Sequence, residues 1–340
     1  MTGIKKASIK DIAQATDMSI STVSRVINGK AEEYRISKRS QKLILDAAKK
    51  LNYNANFAAA TLKSGRSNTI ALLIPSLSNP FFASMASEIN KDLREEGFIT
   101  ILSESSENLE IEKDILKNLL KRNIEGLIIV PCGEHYEHIV QLKEQGLPIV
   151  CIDRYFEDLN IPYVSTDNYD GAYKATKYLI GNGHTNIFAI QGVHQSVANK
   201  QRVRGYKEAL NDAGIKTLNI AGNDFSIQNG YLETKLMLQS KVRPTAIFTF
   251  SNTIAMGCLK ALREEDIKIP DEISMITFDD HPYLEFLATP LSCIAQPESD
   301  IAKLAIRFLF SVINNNNDHQ IQQVLLKPEI RLRDSVKIIS

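Results

Sequence analysis

The chain has 340 residues, 44% apolar and 24% charged, enough for two or three compact domains with sizeable cores. No apolar run approaches the ~18 residues of a membrane helix, and the polar start MTGIKKASIK is unlike a secretory signal, so a cytoplasmic protein is expected. The formal net charge of zero hides a segregation: residues 1–66 hold 13 Lys/Arg against 5 Asp/Glu, the remainder 27 against 35. A basic block on an acidic body fits a nucleic-acid-binding head, although a solvated basic helix face has the same composition.

Ser8-Ile9-Lys10-Asp11 has the form of a capping box, and Ile9, Ile12, Ala13 and Thr16 then repeat at helical spacing. Asp17-Met18-Ser19 interrupts the pattern. Ser19 can cap a second helix over Ile20–Ile27, which Asn28-Gly29 ends. Two short helices joined by a tight turn make a helix-turn-helix. Val23, Val26 and Ile27 face inward on this reading, leaving Ile20, Ser21 and Arg25 on the outer face, where a helix can enter the major groove. A third helix from about Lys38 to Leu51, capped by Ser37, closes the core with Leu43, Ile44, Ala47, Ala48 and Leu51.

The string SIKDIAQATDMSISTVSRVING resembles the lac/galactose repressor (LacI/GalR) family of DNA-binding regulators. By that resemblance Ile20, Ser21 and Arg25 face base edges, Arg25 able to donate to guanine. Ser19, Thr22, Ser24 and Asn28 lie nearer phosphates, although Ser19 and Thr22 serve equally well as caps. Residues 52–66, NYNANFAAATLKSGR, match the family's hinge, a short helix that orders on DNA. Asn56 can cap it. Leu62 falls where the family places a minor-groove wedge, with Lys63 beside it; packing of Leu62 on its own domain is the alternative. Ala55 stands where the family usually has proline, which loosens the linker off DNA.

From Asn68 onward strand-like runs alternate with amphipathic stretches. The clearest strands are Ile70–Ile74, Gly126–Val130, Ile149–Ile152, Ile187–Ile190, Ala246–Phe250 and Ile273–Thr277. Helical stretches between them include Phe82–Glu96, Glu110–Lys121, Gly171–Ile180, Arg202–Ala213 and Thr253–Glu265. Such alternation means doubly wound parallel sheets, whose ligands bind outside the carboxyl ends of the strands.

Aromatic, acidic, basic and amide side chains gather at those ends, a mixture suited to a sugar. The same positions resemble the family's effector domain, which is similar to periplasmic sugar-binding proteins. By that resemblance Asn79, Phe81, Phe82, Asp153, Arg154, Arg202, Phe225, Asn252, Asp279 and Gln296 match positions that hold ribose in ribose-binding relatives. Val130 stands where those binders have asparagine, and Thr253 replaces the aspartate that usually follows Asn252. Bland alternatives exist for single residues: Asp279 as a cap, Arg154 paired with an acid across the domain boundary, Phe82 as core, Asn79-Pro80 as a turn.

The other motifs point away from catalysis. Glu134-His135-Tyr136-Glu137-His138 lacks a metal-motif spacing and reads as a polar surface helix. Gly181-Asn182-Gly183 follows a helix and reads as its C-cap. Cys132, Cys151, Cys258 and Cys293 form no C-x-x-C pair and read as reduced core thiols. No nucleophile–base set stands out, so no enzyme, catalytic residue, metal or cofactor is expected.

The expected architecture is a small all-α helix-turn-helix head plus an α/β two-lobed, periplasmic-binding-protein-like body of two doubly wound parallel sheets. Its domains are a head over 1–52, a hinge-helix linker over 53–66, and an effector-binding and dimerisation body over 67–340. One lobe comprises about 67–165 and 296–327, the other about 166–295 and 328–340, with crossings near Ser165, Cys293 and Lys327. The expected partners are double-stranded operator DNA, a small-molecule effector (a pentose or hexose) and a second copy of the chain, with no membrane. The end at Ile338-Ile339-Ser340, lacking a leucine-heptad helix, favours a homodimer over a tetramer. A sugar phosphate, nucleobase or protein co-repressor is the alternative to a free sugar.

Overall fold

A computed structural model describes residues 7–51, 53, 66–314 and 322–339. The chain divides into two compact units, Met1–Ser67 and Asn68–Ser340.

In the head, α1 (Ile9–Thr16) opens with a complete capping box. The Asp11 N–H donates to Ser8 Oγ at 3.4 Å, while the Asp11 carboxylate accepts from the Ser8 N–H at 2.7 Å. The Thr22 N–H donates to Ser19 Oγ at 3.1 Å at the start of α2 (Ile20–Ile27), and Ser37 caps α3 (Lys38–Lys50) in the same way. Gly29 follows α2 with φ 73°, the left-handed conformation that a helix-ending glycine adopts without a Cβ penalty. Ile12, Ala13, Val23, Val26, Ala31, Ile44 and Ala48 form the core. Leu43 and Leu51 do not join it: they are 46% and 38% exposed. So small a core takes one i, i+4 stripe of α3, Ile44 and Ala48, and Leu43 lies about 100° around the helix from that stripe.

The body begins with β1 (Thr69–Ile74), α4 (Pro80–Glu95), β2 (Ile99–Glu104), α5 (Leu109–Leu120), β3 (Gly126–Ile129), α6 (Glu137–Glu144), β4 (Ile149–Ile152) and β5 (Tyr163–Thr166). It continues with α7 (Asn168–Gly181), β6 (Ile187–Ile190), α8 (Val197–Asp212), β7 (Asn219–Ala221), α9 (Ile227–Leu238), β8 (Ala246–Thr249), α10 (Asn252–Glu264), β9 (Ser274–Phe278) and β10 (Ser292–Ala295). Then come α11 (Glu298–Ile313), β11 (Gln323–Leu326) and β12 (Glu329–Arg331).

Among the described residues two six-stranded sheets form, ordered β11-β5-β4-β3-β1-β2 and β12-β10-β9-β8-β6-β7. The second repeats the first position for position. All pairings are parallel except β10 with β12. Lys327-Pro328 joins β11 of the first sheet directly to β12, which runs antiparallel to β10 at the edge of the second. Among the described residues the chain passes between the sheets three times: after β5, between β10 and α11, and at Lys327-Pro328. After the second passage α11 returns to the first lobe, where Ile301, Ala305 and Phe308 pack with Ile89 and Val150 in one core. The four cysteines are buried and free. No helix among the described residues is long and apolar enough to cross a membrane.

Candidate functional site

On α2 the side chains of Val23 and Val26 turn inward, and Ile20, Ser21, Arg25 and Asn28 turn out; Ile20 is 51% exposed. Thr22 and Ser24 are half-buried. Ser19 Oγ lies 2.8 Å from both Ser21 Oγ and Thr22 Oγ1, so three hydroxyls cluster at the helix start, beside amides that can hold a phosphate. Asn28 Nδ2 donates to the Ser24 carbonyl at 2.5 Å. The Arg25 guanidinium stacks 3.9 Å over the Tyr34 ring. Tyr34, in the turn before α3, carries no sequence signal for this role. Asn56, Leu62 and Lys63 lie outside the described residues.

In the body, nine of the ten sequence-selected residues line one cavity between the lobes: Asn79, Phe81, Phe82, Asp153, Arg154, Arg202, Phe225, Asp279 and Gln296. The structure does not bring Asn252 into that lining. Its neighbour Ser251 lines it instead, with Ser196 and Ala198, which sequence reasoning missed. Asn252 stays fully buried in the first turn of α10, with neither side-chain amide atom partnered.

Each residue is set by its strand or helix end. Asn79 caps α4, its Oδ1 accepting from the Phe81 N–H at 3.1 Å. Phe81 and Phe82 meet edge to face at 5.1 Å and serve the lobe core as well as the cavity. Asp153 follows β4 and Asp279 follows β9, equivalent strands of the two sheets; both hold left-handed backbone, φ 59° and 71°. Strained non-glycine residues cluster at ligand sites. Gly192, after β6, makes room for Phe225: a Cβ there would stand 2.2 Å from the ring.

Polar contacts tie the set together. Arg154 forks onto Glu107 with two 2.6 Å bonds, so its acidic partner belongs to its own lobe. Arg202 Nε donates to Asn168 Oδ1 at 2.7 Å, Nη1 donates to the Phe250 carbonyl, and the guanidinium stacks 3.7 Å over Phe278. Gln296, where the chain leaves β10, accepts from Thr166 Oγ1 at 2.5 Å and donates to Asp279 Oδ1 at 2.6 Å. The two departures from ribose binders are structural: Val130 is buried in the lobe core, and Thr253 Oγ1 donates to the Phe225 carbonyl at 2.9 Å.

Burial dominates the electrostatics. It pushes the Asp153 carboxyl up to about 6 against the pull of Arg154 and Arg202. It raises Asp279 as well, opposed by Arg202 and by bonds from Gln296 and the Asn252 N–H. Arg202 is lowered by burial. Arg154 is desolvated too, but Glu107 outweighs that and leaves it raised. Buried Asp153 Oδ1, Arg154 Nε and Ser196 Oγ have no hydrogen-bond partner. The cavity has a volume of about 20 Å³, room for little more than a water molecule; a sugar ring enters only when the lobes part.

A larger cavity of about 590 Å³ is lined by Met256, Leu259, Ile267, Ile269 and Leu287 among others, with the buried Tyr283 hydroxyl unpartnered in its wall. The Glu134–His138 segment corrects the expected polar surface helix. The helix starts at Glu137, and His138 turns inward, its Nε2 2.7 Å from Oε1 of fully buried Glu112. Glu112 Oε2 also accepts from the Cys132 N–H at 2.9 Å, so the pair closes the fold after β3. No group of three or more His, Cys, Asp or Glu among the described residues could hold a metal.

A helix-turn-helix head with a two-lobed body defines a ligand-responsive DNA-binding regulator. Residues 8–56 match the model for bacterial regulatory proteins of the lacI family, and residues 67–320 that for periplasmic binding proteins and the sugar-binding domain of the LacI family. The chain is 32% identical to the ribose operon repressor of Haemophilus influenzae, covering 97% of this chain and 98% of that one. It is 30% identical to the transcriptional repressor PurR of Photobacterium profundum, covering 97% and 99%. The fold matches the lac repressor dimer bound to operator and the anti-inducer ONPF with a TM-score of 0.87 at 22% identity, covering 98% and 100%. The chain belongs to the lacI family of transcriptional repressors: a DNA-binding regulator and not an enzyme.

Proposed function

We propose that this repressor is governed by a neutral sugar held in the interlobe cleft, with the head (1–52) reading operator DNA and residues 53–66 acting as hinge. The observation that carries the reading is the set of buried, unpartnered polar atoms on Asp153, Arg154 and Ser196 beside the Phe81–Phe82 pair. Leaving a buried polar atom unsatisfied costs about 1–3 kcal/mol, and a ring bearing hydroxyls supplies both donors and acceptors. The ribose operon repressor among the relatives agrees with this; the PurR relative keeps a nucleobase as the second reading.

The regulator works as a homodimer, as the lac repressor match does on its operator. Two heads then address a pseudo-palindromic site, with Ile20, Ser21 and Arg25 toward base edges and Ser19, Thr22, Ser24 and Asn28 toward phosphates. Effector binding changes how far the lobes close. In a dimer that alters the spacing of the two hinges, where Asn56, Leu62 and Lys63 would engage the minor groove. The lobes, about 67–165 with 296–327 and about 166–295 with 328–340, are the rigid bodies of that motion.

Thermal unfolding of the full chain against pentoses, hexoses, sugar phosphates and purines tests the reading. A ligand at 100 times its Kd stabilises by about 2.7 kcal/mol. A shift with a free sugar is expected, lost in Asp279→Ala. A shift with purines alone moves the reading to a nucleobase.

A further inference from the structure

The inner cavity is too small for a ring as it stands, yet the cleft continues outward. Arg154 and Ser196 also line a second cavity of about 380 Å³, within the ~300–1,000 Å³ of small-molecule sites. Both lobes build it: the loop after β3 and the segment after β4 on one side, the start of α8 on the other. Tyr136 and Phe156 both line it, half-buried, with ring centroids 5.0 Å apart and planes tilted by 54°. Lys200 of α8 reaches Glu134 of the other lobe at 2.5 Å, fastening the two walls together.

The wall chemistry discriminates among occupants. Its two cations already face carboxylates, Arg154 on Glu107 and Lys200 on Glu134, and Glu157 and Asp158 add further negative charge. A phosphate or carboxylate would therefore be repelled. A wholly apolar guest would leave the Ser196 hydroxyl unsatisfied. Ser196 is the N-cap of α8, yet it makes no capping bond and its buried Oγ has no partner; an N-cap serine ordinarily bonds its own helix. A neutral ring bearing hydroxyls answers each feature: its face lies on the aromatic pair, and its hydroxyls reach Ser196, Gln195, Gln201 and the carboxylates.

We propose that this outer chamber is a second sugar subsite, so that the preferred effector is a disaccharide or glycoside. Its terminal ring occupies the inner cleft, and its next ring lies against Tyr136 and Phe156. The proposal rests on the sugar reading of the cleft.

Isothermal titration of the full chain tests it with matched sets: glucose, methyl glucoside, cellobiose and maltose; galactose, methyl galactoside, lactose and melibiose; xylose and xylobiose; ribose and methyl riboside. One extended sugar should bind at least about tenfold more tightly than its parent monosaccharide. Tyr136→Ala and Phe156→Leu should bring that ratio close to one, with far-ultraviolet melting curves reporting that each variant is folded. A monosaccharide bound as tightly as all its glycosides, or a ratio that survives both substitutions, overturns the subsite and leaves the cleft reading standing. Heat from no sugar of either size overturns both.

Discussion

Asp153→Asn separates stability from effector binding. The Asp153 carboxyl has an ordinary value of 3.8 and is pushed to about 6 in the folded protein, chiefly by burial. A folded-state value raised above the unfolded one means that stability is fully present below about pH 4 and is lost as pH rises through 6. A shift of about two units corresponds to about 3 kcal/mol. Asparagine removes the buried charge and tolerates the left-handed backbone at φ 59°. The variant should therefore be more stable than the parent at pH 7.5 by up to about 3 kcal/mol, or roughly 6–12 °C in Tm. About half of that gain should remain near pH 5 and little at pH 4. Effector binding should weaken as a charged acceptor is lost, by about 1.5–3 kcal/mol. Scanning calorimetry across pH 4–8, with titration of the ligand found in the thermal screen, reads both. A variant less stable than the parent at pH 7.5, or a gain that does not shrink with acid, refutes the burial argument.

Arg25→Ala should cost about 1–3 kcal/mol and relax preference at one base position, read by selection from randomised duplexes; unchanged discrimination would remove Arg25 from base readout. Tyr34→Ala, which takes away the Arg25 platform, should blur the same position by about 0.5–1 kcal/mol, and a shift at any other base would separate the two residues. Glu112→Ala should destabilise the body by about 3–5 kcal/mol in urea unfolding, because His138 and the Cys132 N–H lose their buried acceptor; a change below about 1 kcal/mol would mean the pair carries little of the fold. Leu62→Ala should weaken operator binding in fluorescence anisotropy while effector affinity holds, and normal operator binding would contradict the wedge.

Much of the head was legible because its signals are local. Ser8, Ser19 and Ser37 each accept from the amide three residues onward, which spacing alone reveals. Leu43 and Leu51 misled because helical periodicity gives a face but not the width of the core that receives it. In the body, buried central strands such as Ile149–Ile152 show as continuous apolar runs. Edge strand β2 is only partly buried along its length and gives no such run. Strand ends identified the cleft, but partnerships between distant segments, such as Glu112 with His138 and Gln296 with Thr166, have no sequence signature. Ser196 escaped for the same reason: one serine among many, made notable only by its burial.

The three passages between the sheets have a mechanical consequence. A single strap between two bodies allows bending, twisting and sliding alike, and two straps still permit rotation about the line joining them. Three straps resist twist and slip together. Here one of them, Lys327-Pro328, includes a proline, and another is pinned by Gln296 to Thr166 and Asp279. In the lobe closure proposed above, such straps favour one soft coordinate, through which whatever occupies the cleft would set a single angle.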